Sequence, residues 1–166
     1  MARGAALTPA INYLKKNKIP FSLHKYQVDI DLAENYGQAV ADALSVEHHR
    51  LFKTLLVCLN GDDKNLAVCI VPVSSQLNLK KAAKAHNAKT AAMAKPEFAQ
   101  RATGYVVGGI SPFGQKNRLH CALDNSALAL DSLFVSAGKR GIQVELSPNQ
   151  LISTLNATCC ELSSGA

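Results

Sequence analysis

Two apolar runs, Phe52–Leu59 and residues 66–73, flank the turn-rich segment Asn60-Gly61-Asp62-Asp63-Lys64. β-Branched and apolar residues suit extended backbone, and an Asn-Gly step suits a tight reversal, so this stretch predicts a β-hairpin. Around it the pattern alternates between periods. Thr8-Pro9 opens a helix as N-cap and N1, with Ala10, Ile11, Leu14 and Ile19 on its apolar side, and Pro20 stops it. Residues 21–26 alternate at period two and predict a strand; residues 37–44 predict a helix. A basic helix capped by Asn78 follows over 79–86, then a short helix over 96–101. Strands are expected at 119–123, Leu133–Ser136 and Ile142–Leu146, and Ser147-Pro148 caps a last helix to about Leu155. Residues 161–166 are expected to fray. Hairpins mixed with separate helices favour an α+β fold around a mostly antiparallel sheet over a doubly wound α/β fold. At 166 residues, 48% of them hydrophobic, the chain fits one domain spanning 1–166.

Eighteen Lys and Arg against twelve Asp and Glu leave a net charge of +6, which favours an anionic partner, nucleic acid first. The five cysteines (Cys58, Cys69, Cys121, Cys159, Cys160) form no metal-ligand spacing and read as reduced thiols of a cytoplasmic protein. Adjacent His48 and His49 would diverge by about 100° on a helix and suit a shared metal poorly. No metal or cofactor is implied, and no apolar run approaches the roughly 18 residues of a membrane span.

Two features point to chemistry. Lys53 interrupts the strand Phe52-Lys53-Thr54-Leu55-Leu56-Val57, whose two faces are both apolar. An ammonium there either opens into a cleft or guards a sheet edge against aggregation. The second is Thr103-Gly-Tyr-Val-Val-Gly-Gly-Ile-Ser-Pro-Phe-Gly-Gln-Lys-Asn-Arg118, read as a short strand at 105–107 breaking into a glycine loop. Gly108 and Gly109 allow close backbone approach, either as a tight turn or as donors to a developing oxyanion. Lys139-Arg140, with Lys116 and Arg118, are either phosphate contacts or a solvated turn. His24, in a strand, reads as a structural histidine. No G-x-S-x-G, H-E-x-x-H, Walker A or dinucleotide motif is present.

Taken together, Thr8-Pro-Ala10, Phe52-Lys-Thr-Leu-Leu-Val57, Leu79-Lys-Lys-Ala-Ala-Lys84, Thr103-Gly-Tyr105, Gly108-Gly-Ile-Ser-Pro112, Gly114-Gln-Lys116 and Val135-Ser-Ala-Gly-Lys-Arg-Gly141 resemble the YbaK/EbsC family of Cys-tRNA(Pro) deacylases. These are single-domain relatives of the editing domain of bacterial prolyl-tRNA synthetases. The resemblance runs from about residue 7 to 155 and implies a barrel-like mixed sheet surrounded by helices. It implies hydrolysis of mischarged Cys-tRNA(Pro), with the substrate's own thiol as nucleophile. The family's essential lysine falls on Lys53 and its backbone glycine on Gly108, with Gly109 beside it. Tyr26, Tyr36 and Ser136 match positions lining the substrate pocket, and Thr54 is a weaker candidate for it as the lysine's neighbour. Lys80, Lys81, Lys84, Lys116, Arg118, Lys139 and Arg140 are the candidate tRNA contacts. The implied partners are tRNA(Pro) and prolyl-tRNA synthetase, without a membrane; nothing in the sequence fixes an oligomeric state. Departures from the family pattern are Ala137, Asn117, the lack of the acidic side chain that relatives often carry near Gln143, and one extra residue within 30–36. The alternatives are a deacylase for Ala-tRNA(Pro) and a non-catalytic module binding tRNA or the synthetase.

Overall fold

The computed structural model describes residues 8–29 and 36–164. The expected start of the core at residue 7, the extra residue within 30–35 and the last two residues of the tail lie outside the described residues. Helix α1 (Pro9–Lys16) begins where Thr8 caps it, the Thr8 hydroxyl accepting from the Ile11 N–H at 3.1 Å. The same hydroxyl donates to the carbonyl of Ala137, so the helix start is tied to a distant turn. Strand β1 (Ser22–Lys25), helix α2 (Tyr36–Ala43), strands β2 (Phe52–Leu59) and β3 (Asp62–Pro72) follow.

The β2–β3 hairpin is tighter than its composition predicts. Asn60 and Gly61 alone make the turn, with φ of 55° and 70°, and the exposed polar residues expected in the loop instead extend β3. Pairing needs only main-chain groups, so it continues beyond the apolar core.

Next come β4 (Gln76–Leu77), α3 (Leu79–Ala85), β5 (Ala91–Met93), α4 (Pro96–Thr103), β6 (Cys121–Asp124), β7 (Leu133–Ser136), β8 (Ile142–Leu146), α5 (Pro148–Leu155), β9 (Thr158–Cys160) and β10 (Ser163–Ser164). Five strands form a mixed sheet in the order β5-β2-β3-β6-β9, with β3–β6 and β6–β9 parallel. A three-stranded antiparallel sheet, β1-β8-β7, and the ribbon β10-β4 complete the α+β architecture. Among the described residues a single parallel bridge, Leu51 to Phe134, links the two larger sheets, and the barrel-like expectation resolves into a sheet that is not closed. The main core, with Ile11, Leu14, Phe52, Ile70, Phe113, Leu123, Leu133 and Leu151 almost wholly inaccessible, lies between the two larger sheets and helices α1, α4 and α5.

Two expectations are corrected. Residues 105–107 form no strand, because α4 ends at Gly104 and the chain turns through an irregular loop leaving Val106 and Val107 exposed. The tail does not fray through Ser164. Leu162 is fully buried, and its N–H and that of Ser163 donate to Asp124 Oδ1 at 2.8 and 3.0 Å. Its carbonyl accepts from Asn78. One buried leucine and a carboxylate acceptor anchor a segment whose polar composition suggested otherwise. No described helix is long and apolar enough to cross a membrane.

Candidate active site

Strand β5 pairs with β2 only along Val57–Leu59, so the first half of β2 is an uncovered sheet edge. A cavity of about 360 Å³ opens along that edge, lined by Leu51 through Leu56 together with residues of α2, the glycine loop and strands β7 and β8. Lys53 therefore satisfies both readings of its sequence position: it sits on an edge, and the edge is the wall of a cleft. It forms none of the ion pairs between described residues. Burial lowers its pKa from the ordinary lysine value, with no other group contributing. Among the described residues lining this cavity, Lys53 is the only Lys, Arg, His, Asp or Glu, and none is a cysteine.

Gly108 lines the same cavity. Within its loop, Val107 donates its N–H to the Gln100 side chain and Gly109 donates to the Val106 carbonyl at 2.8 Å. The Gly108 N–H has no partner among the described residues. Gly108 adopts φ +97°, and a Cβ there would lie 2.5 Å from Arg140 Nη2. Gly109 does not line the cavity; a Cβ on it would lie 2.9 Å from the Lys139 Cα, so it serves loop-to-turn packing.

Tyr36, Thr54 and Ser136 line the cavity with Lys53, whereas Tyr26 stands one step behind, its hydroxyl 2.9 Å from that of Tyr36. Burial and this hydrogen bond push the Tyr36 phenol further above its ordinary pKa, keeping it neutral. The Ser136 hydroxyl accepts the Gly138 N–H at 3.1 Å, fixing the turn after β7. Two polar atoms facing this region are buried without a partner: Thr54 Oγ1 and Gln143 Oε1. Gln143, only 5% exposed, was visible in the sequence as a departure but not as a lining residue.

The seven candidate tRNA contacts separate. Lys81 is engaged, donating to Glu161 at 2.8 Å and to the Ser163 carbonyl, so it anchors the tail. Lys80, Lys84, Lys116 and Arg118 are exposed and line neither this cavity nor its neighbour. Lys139 and Arg140 adjoin the site, and the Arg140 guanidinium lies 4.7 Å from the centre of the Tyr36 ring. Arg140 is thus a wall as much as a surface cation. His24 is structural, held by Glu145 at 2.9 Å and edge-on to Phe134.

Residues 33–154 match the aminoacyl-tRNA editing domain family. The chain belongs to that family. An Enterococcus faecalis protein named "Putative Cys-tRNA(Pro)/Cys-tRNA(Cys) deacylase EbsC" is 33% identical over 155 residues, covering 93% of this chain and 92% of that protein. A crystal structure described as "a putative trans-editing enzyme for prolyl tRNA synthetase" superposes with a TM-score of 0.81 at 20% identity, covering 96% of this chain and all of that one. The hypothetical protein APE2540 gives 0.82, also at 20% identity, over 94% and 99% of the two chains. At that identity the two structures speak for the fold. Editing domains act on the ester that joins an amino acid to tRNA, so this chain is an aminoacyl-tRNA hydrolase whose substrate class is charged tRNA.

Proposed function

We propose that the chain deacylates Cys-tRNA(Pro) in trans, with the cysteinyl thiol of the substrate as nucleophile. The observation that carries this reading is a cavity with one lysine, an unpaired glycine N–H and no protein Cys, His, Asp or Glu among its described lining. Thr54 and Ser136 offer hydroxyls, but no His, Asp or Glu of the described lining stands beside either to activate it. In the proposed step the thiol sulfur bonds to the aminoacyl carbonyl carbon and the carbon–oxygen ester bond breaks. The thiol proton passes to the departing ribose oxygen, and water then opens the released thiolactone.

In this scheme the Gly108 N–H donates to the developing oxyanion. Lys53, its pKa lowered by burial, accepts and returns the proton or stabilises negative charge as an ammonium. Tyr36, backed by Tyr26, closes the side toward the glycine loop. A proline-sized synthetase pocket rejects cysteine by little binding energy, which makes a second sieve chemically necessary. Action beside prolyl-tRNA synthetase follows from the same logic.

Deacylation of Cys-tRNA(Pro) and Ala-tRNA(Pro) by the purified protein, with and without Lys53→Ala, tests the reading. Cysteine should be released, alanine retained, and the variant inactive. Equal release of both amino acids would remove thiol assistance; binding of charged tRNA without turnover would make the chain a non-catalytic module.

A further inference from the structure

Away from the editing cavity, and sharing no lining residue with it, lies an open depression of about 370 Å³ whose wall carries His86, His120, Asn65 and Asn87. His86 closes helix α3 and is buried, whereas His120 leads into β6 and is exposed. Their Nδ1 atoms stand 2.6 Å apart, with the two rings at 85° to each other. A separation of 34 positions matches no local metal-ligand spacing, so only the fold makes this pair. Each ring is held at its other nitrogen. A carbonyl only accepts, so the 3.1 Å contact of His86 Nε2 with Val68 puts the proton on Nε2 and leaves the lone pair on Nδ1. His120 Nε2 meets the Thr158 hydroxyl at 3.1 Å, a group that can donate or accept. Two ring nitrogens this close require a positive centre between them. One proton on His120 Nδ1 fills that role, and a metal ion fills it as well.

We propose that His86 and His120 form an exchangeable site for a divalent transition-metal ion of the Zn²⁺ type, both coordinating through Nδ1. The proposal stands apart from the editing chemistry. Imidazole suits such ions, and the Val68 carbonyl and Thr158 hydroxyl are the outer partners that orient metal-bound imidazoles. Two nitrogens bound at about 2.0–2.1 Å in tetrahedral geometry lie about 3.3 Å apart. The pair must therefore widen by about 0.7 Å, and the exposed His120 ring swings into the open depression to provide it. Cys69 stands beside His86 Nε2 at 3.5 Å, on the far side of the ring from the ion. Among the described residues no group of three His, Cys, Asp or Glu is placed to hold a metal, so water completes the shell and the affinity is micromolar. Protons balance in the exchange. The ion takes the lone pair of His120 Nδ1 as its proton leaves to solvent; another proton arrives at Nε2, and the Thr158 hydroxyl turns from donor to acceptor. The bound ion ties the end of α3 to the start of β6 and, through Thr158, to β9.

Titration of the intact, reduced protein with Zn²⁺ alone at neutral pH, followed by calorimetry and by ¹⁵N NMR of the histidine rings, tests the site. His120 should switch from the Nδ1–H to the Nε2–H tautomer while His86 keeps its Nε2–H, and Tm should rise with Zn²⁺ concentration. His120→Ala should abolish both the binding and the rise in Tm. Thr158→Val, which removes only the outer partner of His120, should weaken Zn²⁺ binding by about 10–100-fold. Should His120→Ala fail to fold, the tautomer switch in the wild type and the affinity of Thr158→Val decide the matter. Ring tautomers unchanged by Zn²⁺ overturn the site, as does wild-type affinity in either variant. Zn²⁺-induced shifts confined to His48, His49 or the Cys159 and Cys160 thiols overturn it too, since the ion then sits elsewhere.

Discussion

Gly108→Ala separates the backbone's part in the site from that of the side chain behind it. At φ +97° an L-residue is strained by about 1–3 kcal/mol. The new methyl would lie 2.5, 2.6 and 2.9 Å from Nη2, Nε and Cζ of Arg140. The guanidinium is the far end of a flexible chain and moves aside, losing its place over Tyr36, worth about 0.5–1 kcal/mol at an exposed site. The sum, about 2–4 kcal/mol, lowers Tm by roughly 5–15 °C in a chain of this length but leaves it folded. The alanine keeps its N–H, but relief of the φ strain turns that N–H away from its position, and loss of one positioned backbone donor lowers kcat by about 10²–10³-fold. Single-turnover deacylation beside a thermal melt measures both. Gly108→Ala/Arg140→Ala removes the collision and keeps the φ strain, so it should stay as slow as Gly108→Ala. Recovery in the double variant would transfer the role from the backbone to the guanidinium, and wild-type kcat in the single variant would remove the loop from catalysis altogether.

His86 and His120 face each other with Nδ1 atoms 2.6 Å apart. The surrounding partners fit one proton order: Thr158 to His120 Nε2, His120 Nδ1–H to His86 Nδ1, and His86 Nε2–H to the Val68 carbonyl at 3.1 Å. Burial first, then His120, push the His86 pKa down to about 4. The unfolded chain therefore binds the extra proton between about pH 6.5 and 4, and stability falls as pH drops through that window, by up to about 3 kcal/mol, while staying flat above it. Urea melts should show that limb in the wild type and lose it in His86→Leu; an identical limb in both would refute the assignment. For Asp124→Ala, loss of the acceptor for Ser126, Leu162 and Ser163 should cost about 3 kcal/mol or more and expose the Leu162 amide to rapid hydrogen exchange. Unchanged protection at Leu162 would show that apolar packing alone holds the tail.

The elements that carry their own local signal were readable in the sequence. Thr8, Asn78 and Ser147 each cap a helix by accepting the N–H three residues on, and all three sit where the residue pattern predicts. The hairpin was readable for the same reason, though its turn length was not, because charged residues pair as well as apolar ones on a solvated strand end. What escaped the sequence depends on distant partners. Strand β10 exists because Asp124 and Leu77 wait for it. Residues 105–107 look extended but are held by Tyr105, whose hydroxyl donates to the Phe113 carbonyl. At the site, Lys53 and Gly108 were visible as oddities of composition. The engagement of Lys81, the packing role of Gly109 and the burial of Gln143 required the fold.

The amide at Gln143 bears on how Lys53 works. Burial alone depresses the Lys53 pKa, because no carboxylate shares its described cavity. A carboxylate at position 143 would favour the ammonium and raise that pKa, while an amide leaves burial to lower it unopposed. The unpartnered Oε1 of Gln143 and Oγ1 of Thr54 each cost about 1–3 kcal/mol while they remain unpaired. If the cysteinyl substrate proposed above reaches these atoms, its α-ammonium and thiol supply donors for both and relieve the polar deficit of the cavity. Gln143→Glu should then move the lower limb of the pH–rate profile upward and slow deacylation at neutral pH, as Lys53 is held protonated. Gln143→Leu should leave the limb in place and raise KM instead, through loss of the acceptor. If both variants keep the wild-type profile and KM, Gln143 lies outside the reacting group's reach and Lys53 is tuned by burial regardless of its neighbour.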